Sequence, residues 1–188
     1  MVKSKFIVIT APSGSGKTTI VNKLLNEKNL NLFFSVSATS RKPRKNEING
    51  ENYFFLSKKE FINKIENNEF LEWEEVYKDT FYGTLNSELE KASNKNFIFD
   101  IDVIGGLNIK KKFPNQTLSI FIKPPSISEL ESRLKKRNSE TNSSIKIRIE
   151  KAKDEILLAN KFDFIVENDI LEKSYGKVLN LINNFINV

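Results

Sequence analysis

The chain predicts an α/β fold: a doubly wound, mostly parallel sheet flanked by helices. Three observations carry that prediction. Short apolar runs alternate with amphipathic helical stretches along most of the 188 residues. The first run, Phe6-Ile-Val-Ile9, feeds a glycine-rich turn, Ala11-Pro-Ser-Gly-Ser-Gly-Lys-Thr18, which opens a helix. Finally, the strand-rich segment 37–84 interrupts the alternation and reads as an inserted small subdomain.

Each element has a local cause. Val2 to Thr10 is a buried strand, and the helix from about Gly16 to Asn26 turns Ile20, Val21, Leu24 and Leu25 inward. Phe33 to Val36 is a short strand that runs into the polar, basic stretch Ser37 to Lys45 and the turn signal Asn49-Gly50. Tyr53 to Leu56 is a strand. Ser57 then caps a helix, with Glu60 completing a capping box and Phe61, Ile62 and Ile65 on the apolar face. Phe70 to Tyr77 alternates as a strand, and a turn at 78–80 leads to Phe81-Tyr-Gly83. The α/β rhythm resumes after Leu85: strand 97–102, helix 106–112, strand 118–122, and a helix opened by Ser126 with Ile127, Leu130 and Leu134 inward. The polar stretch 138–144 breaks that helix, another follows from 144 to 159, then strand 164–166 and a last helix to the end. There is no internal repeat.

Composition narrows the chemistry. The length suits one domain with a sizeable core. There are no cysteines and no histidines, which excludes disulfides, Cys/His zinc sites, cysteine nucleophiles and a histidine general base. Any reaction must use carboxylates, lysine, arginine, hydroxyls and an oxygen-bound metal. The net charge of +6 favours anionic partners, either nucleotides or nucleic acid. No apolar run approaches a membrane span, and 6–11 is too short for a signal-peptide core, so the expectation is a cytoplasmic protein.

The turn at 11–18 is a phosphate-binding loop. Gly14 and Gly16 permit the bend that aims backbone N–H groups at phosphate oxygens, and the following helix points its positive end at the same anion. Lys17 reaches the β- and γ-phosphates, and the Thr18 hydroxyl can ligate Mg²⁺. Residue 11 is Ala where the G-x-x-x-x-G-K-[ST] pattern has Gly, so the loop must enter in an ordinary backbone region. Arg41 and Arg44 suit a second anionic group, although a solvated basic turn explains them about as well. Asp100 and Asp102, at period two on one strand end, face the same way, and one of them suits a role toward Mg²⁺. Arg133 and Arg137 share a helix face and Arg148 opens the next helix; two arms around a polar tip suggest a lid, against the plainer reading of surface helices. Two further matches, Asp102-Val-Ile-Gly105 and Asn160-Lys-Phe-Asp163, have the form of GTPase motifs. Asn160 ends a helical pattern instead of following a buried strand, so that match reads as chance.

Together these motifs resemble the guanylate kinase family over nearly the whole chain. The resemblance rests on 11–18, Ser35-Val-Ser-Ala-Thr-Ser-Arg-Lys-Pro-Arg44, Asn49-Gly-Glu-Asn-Tyr-Phe-Phe55, Glu69-Phe-Leu-Glu-Trp73, Phe81-Tyr-Gly-Thr84, Asp100-Ile-Asp102, Pro124-Pro-Ser126 and the arginines 133, 137 and 148. It implies transfer of the ATP γ-phosphate to GMP with Mg²⁺, on one domain. Residues 1–36, 85–136 and 148–188 would form the core, 37–84 a GMP-binding subdomain and 137–147 the lid. It implies an ATP-binding set of Ser13, Gly14, Ser15, Gly16, Lys17, Thr18, Thr19, Arg133, Arg137, Asn168 and Asp169. Ser37, Arg41, Arg44, Tyr53, Glu72, Tyr82, Thr84 and Asp102 would hold GMP, with Arg41, Arg44, Tyr53 and Tyr82 on its phosphate. Lys17, Arg44, Arg137 and Arg148 would be catalytic, and Thr18 and Asp100 would face Mg²⁺, partly through water. The implied partners are ATP and GMP, with no nucleic acid and no membrane. The main alternative is a catalytically silent module of the same fold that binds other proteins; the intact Gly16-Lys17-Thr18 argues against it.

Overall fold

The computed structural model describes residues 4–92, 94–136 and 142–187. Its centre is a five-stranded, all-parallel sheet in the order β2-β7-β1-β8-β9. These strands are Leu32–Ser35, Asn96–Ile101, Phe6–Thr10, Thr117–Lys123 and Phe164–Glu167 respectively. Every residue of β1 is buried, as a central parallel strand covered on both faces requires. Its side chains alternate between two cores. Ile7 and Ile9 pack with Ile20 and Leu24 of helix α1 (Lys17–Leu25) and with Val178 and Ile182 of α7 (Leu171–Ile186). Phe6 and Val8 face the other way, onto Phe97, Phe99 and Ile109 of α4 (Val103–Lys112). Phe6 meets Phe97, Phe99 and Phe113 edge-on with ring centres 5.1–5.7 Å apart, the favoured geometry for aromatic packing.

Residues 38–85 build a second, four-stranded sheet, β4-β3-β6-β5, from Phe54–Phe55, Ala38–Thr39, Thr80–Leu85 and Phe70–Tyr77. Helix α2 (Lys58–Glu66) closes one side of it, and its Ser57–Glu60 capping box is formed. Phe61 is fully buried there, stacked 4.4 Å from Phe70 and 5.6 Å from Phe81. A hairpin of helices α5 (Ile127–Lys136) and α6 (Asn142–Leu157) packs through Leu130, Leu134, Ile145, Ile149 and Ala152. No helix among the described residues is long and apolar enough to cross a membrane.

The sequence boundaries hold for most elements, with informative departures. Strand β7 ends at Ile101, not Asp102, and α4 starts three residues earlier than periodicity suggested. One group causes both: the Asp102 carboxylate caps the helix by accepting from the N–H groups of Ile104 and Gly105. Strand β3 lies unannounced inside the basic stretch, because two residues are too few to display a period. A short helix, α3 (Ser87–Glu90), was likewise too brief to read.

Phe61→Ala should cost about 3–5 kcal/mol through lost burial and a cavity, while Phe61→Leu should cost far less. Urea unfolding, followed by the fluorescence of Trp73 beside Phe81 on the same sheet, checks this.

Candidate active site

The phosphate loop leaves β1 at the carboxyl edge of the parallel sheet, where open α/β folds bind ligands. Gly14 and Gly16 adopt φ of 97° and 90°, which a side chain would strain, whereas Ala11 has no positive φ. The glycines also admit close neighbours. An added Cβ at Gly14 would press on Leu130 and Leu134 of α5, and one at Gly16 would run into the Asn168 amide. That amide, buried, donates to the Ser15 carbonyl at 2.7 Å, and Arg133 donates in turn to the Asn168 carbonyl at 3.3 Å. Asn168 and Arg133 therefore brace the loop from behind and do not line the cavity in front of it. Asp169 is exposed, and Ser15 is wholly buried.

Lys17 and Thr18 meet Asp100 across the sheet edge. The Lys17 ammonium lies 2.6 Å from the Asp100 carboxylate and donates to the Ile101 carbonyl at 2.6 Å. Burial works against its charge, but Asp100 outweighs that and holds the ammonium above the ordinary lysine value. The Thr18 hydroxyl donates to the other Asp100 oxygen at 3.2 Å. One hydroxyl and one carboxylate are a sparse, hard oxygen set. Among the described residues there is no cluster of three or more metal-ligating side chains. Such a set fits Mg²⁺ carried in on a triphosphate, since that ion keeps several waters and takes few protein ligands.

A single cavity runs from this loop to the second sheet. Ser13, Gly14, Gly16, Lys17, Thr18, Thr19, Asp100 and Asp102 line one side, and Ser37, Arg41, Arg44, Tyr53, Glu72 and Tyr82 the other. At its basic end Arg41 lies 4.8 Å over the Tyr53 ring and donates to the Tyr82 hydroxyl at 3.1 Å. Sequence reasoning missed its main partner. Glu47 takes both Arg41 terminal nitrogens at 2.6 Å and also accepts from the Arg44 N–H. That fork pulls the Glu47 carboxyl below its usual range. Arg44 has no carboxylate partner among the described residues, so it supplies the unneutralised charge at this end.

The opposite end is acidic, and its Glu72 is buried. Glu72, only 6% exposed, accepts from the Thr84 hydroxyl at 2.7 Å through one oxygen; its other oxygen is buried without a partner among the described residues. Burial first, then the charge of Asp102, pushes its carboxyl up to about 8. Gly105 makes this approach possible, because a Cβ there would fall on the free Glu72 oxygen. The glycine of the GTPase-like match at 102–105 thus has a packing role. Asp163 of the second match accepts from Lys110 and from both the N–H and hydroxyl of Ser119, tying strands together away from the cavity.

Helix α6 forms the cavity's third wall with Arg148, Lys151 and Glu155. Only Arg148 was expected, although 151 and 155 follow it at helical spacing, which is the signal that marks them. Arg148 donates to the Ser13 hydroxyl at 2.8 Å. Glu155 is raised to about 7, by burial first, with Lys151 opposing and Asp102 adding to the rise. Arg137 and the first part of the expected lid, 137–141, lie outside the described residues.

Comparison with known proteins decides the family. The family model described as guanylate kinase matches residues 3–185. The chain belongs to the guanylate kinase family. A guanylate kinase of Bacteroides fragilis is 52% identical over 188 residues, covering 99% of this chain and 92% of that protein. One from Porphyromonas gingivalis is 50% identical, covering 97% and 98%. The crystal structure of guanylate kinase from Anaplasma phagocytophilum superimposes with a TM-score of 0.79 at 28% identity, over 98% of this chain and 87% of that one. The parallel sheet flanked by helices is thus the fold of the guanylate kinase family.

Glu72 gives this family member a pH signature. Its carboxyl takes up a proton more readily when folded than when unfolded, so its contribution to stability is complete near pH 4.5 and is lost as pH rises toward 8. Glu72→Gln removes the titration. Relative to the parent, the variant should gain stability progressively from pH 4.5 to 8, and paired urea titrations at pH 5 and 8 measure the gain.

Proposed function

We propose that the chain transfers the γ-phosphate of ATP to GMP, giving ADP and GDP, in a reversible reaction within purine nucleotide metabolism. The observation that carries the acceptor's identity is the free oxygen of Glu72. A buried carboxylate with one oxygen held by Thr84 and one unpartnered accepts well from guanine N1–H and N2–H₂. Adenine has no such donor pair, so it would leave the carboxylate buried and unsatisfied.

In this reading 37–84 is the GMP-binding unit and 137–147 a lid. Ser37 and Asp102 flank the base near Glu72. Arg44, Arg41, Tyr53 and Tyr82 take the GMP phosphate at the basic end, with Glu47 fixing the Arg41 fork. The loop N–H groups and Lys17 take the ATP phosphates, Lys17 exchanging Asp100 and the Ile101 carbonyl for phosphate oxygens. Thr18 and Asp100 would hold a Mg²⁺ ion that enters with ATP, which would supply charge neutralisation at the phosphates. A GMP phosphate oxygen attacks the γ-phosphorus in line as the bond to the bridging oxygen of ADP breaks. The attacking oxygen is already an anion, so no general base is needed, in keeping with a chain without histidine. Positioning and charge neutralisation by Lys17, Arg44, Arg148 and Arg137 supply the rate.

Coupled ADP production with GMP, AMP, UMP or CMP and Mg·ATP tests the assignment. GMP should be the strongly preferred acceptor, and absence of GMP-dependent turnover by folded protein would refute it. Lys17→Ala should lower kcat by two orders of magnitude or more, roughly, with the fold intact. Glu72→Gln offers an amide donor toward guanine N2–H₂ and should mainly reduce kcat/KM for GMP; unchanged GMP kinetics would remove Glu72 from base recognition.

A further inference from the structure

Tyr77, the last residue of β5, belongs to none of the binding sets above, yet it sits where the three walls of the cavity meet. Its hydroxyl accepts from Arg148 at 3.4 Å, and the same Arg148 nitrogen donates to Ser13 in the phosphate loop. Two cations of α6 lie over its ring, the Arg148 guanidinium at 5.5 Å and the Lys151 ammonium at 5.4 Å. Lys151 also donates to the backbone carbonyl of Val76 at 3.1 Å. The tip of β5 is therefore fastened to α6 through a side chain and through the main chain.

The strand geometry is arranged to allow this. Tyr77 is five positions from Glu72, so strict alternation would put the two on opposite faces of the sheet. Both nevertheless line the same cavity. The reason is a register shift between Glu75 and Tyr77, which pairs Glu75 with Phe81 but Tyr77 with Thr80. Such a bulge re-aims the following side chain. One strand thereby carries the acidic end of the cavity at Glu72 and the contact with α6 at Tyr77.

We propose that Tyr77 is a positioning residue that couples the two nucleotide subsites. It latches β5, which carries Glu72, to the helix that holds Arg148 over the phosphate loop. A ligand that draws Glu72 and β5 inward carries Val76 and Tyr77 with it and sets Arg148 at the donor phosphates; an ATP-like ligand engaging Arg148 favours the same placement of β5. Coupling of this kind is reciprocal, so each nucleotide should tighten the other. The inference rests on the assignment of GMP and ATP to the two ends of the cavity.

The test is equilibrium binding of GMP, read by Trp73, the chain's one tryptophan and itself on β5, with and without saturating Mg²⁺ and adenylyl imidodiphosphate. The ratio of the two GMP dissociation constants is the coupling factor. In the parent it should exceed about fivefold. Tyr77→Ala should bring the ratio close to one while GMP affinity alone changes by less than about twofold, and Tyr77→Phe, which keeps the ring under both cations, should retain most of it. Lys151→Met tests the latch from the helix side, with the same loss expected even if Tyr77→Ala folds poorly. A coupling factor near one in the parent, or one unchanged in Tyr77→Ala and Lys151→Met, would overturn the latch. Failure of the parent to bind GMP at all would instead refute the assignment of the acceptor.

Discussion

The pairing of Lys17 with Asp100 is the contact on which the arrangement of the cavity depends, and it exists only because β1 and β7 run parallel in one register. Ile9 opposite Asp100 puts the start of the phosphate loop and the end of β7 side by side at the sheet's carboxyl edge. Asp100 shares its face of β7 with Ile98, the face that α1 covers, so it meets Lys17 and Thr18 at the helix start. A one-residue slip would send it to the opposite face, toward the rings of Phe6 and Phe113 and toward Ile109. An unpaired carboxylate among those rings, and an ammonium left without its partner, would each cost several kcal/mol. The apolar alternation of β7 therefore fixes the electrostatics of the site as well as the core.

Charge is then sorted along the cavity by the second sheet. Its basic end combines one arginine already satisfied by a carboxylate with another that is not. The Glu47 fork holds Arg41 rigid at the expense of its charge, while Arg44 retains a net positive field for an anion. The far end brings Glu72 and Asp102 together against Gly105, which leaves room for the buried Glu72 oxygen. The two ends of the cavity thus differ in charge by construction. A small ligand with an anionic head and a donor-rich edge has one orientation that satisfies both.

What the sequence disclosed followed from how locally each feature is encoded. The parallel strands announced themselves through continuous apolar runs, and the phosphate loop through glycines at the two positions that take positive φ. The capping box at Ser57 and the turn at Asn49-Gly50 are equally local, and both formed. Features that arise between distant residues were not legible. Glu47 looked like one more charge in a polar stretch, because only the return of the chain brings Arg41 into its fork. Asp102 continued the strand's period on paper, but capping the next helix proved the stronger demand. Asn168 and Arg133 fall in the implied ATP-binding set yet stand behind the loop, since a motif names neighbours without saying which side they occupy. The bulge that turns Tyr77 toward α6 has no single-residue signature.

The buried oxygen of Glu72, unpartnered among the described residues, shows how specificity can be stored in a binding site. Leaving a buried acceptor unsatisfied costs free energy, and the protein lowers that cost by raising the carboxyl's proton affinity to about 8. A ligand edge with two aligned donors removes the cost and favours ionisation, so binding and proton release are linked. A ligand lacking those donors seals the cavity over an unsatisfied group and gains less than its buried area would suggest. Discrimination in the proposed reaction therefore comes less from attraction to the right base than from a penalty that only the right base relieves. That penalty depends on burial, and the burial depends on Gly105 and the second sheet packing around one oxygen atom.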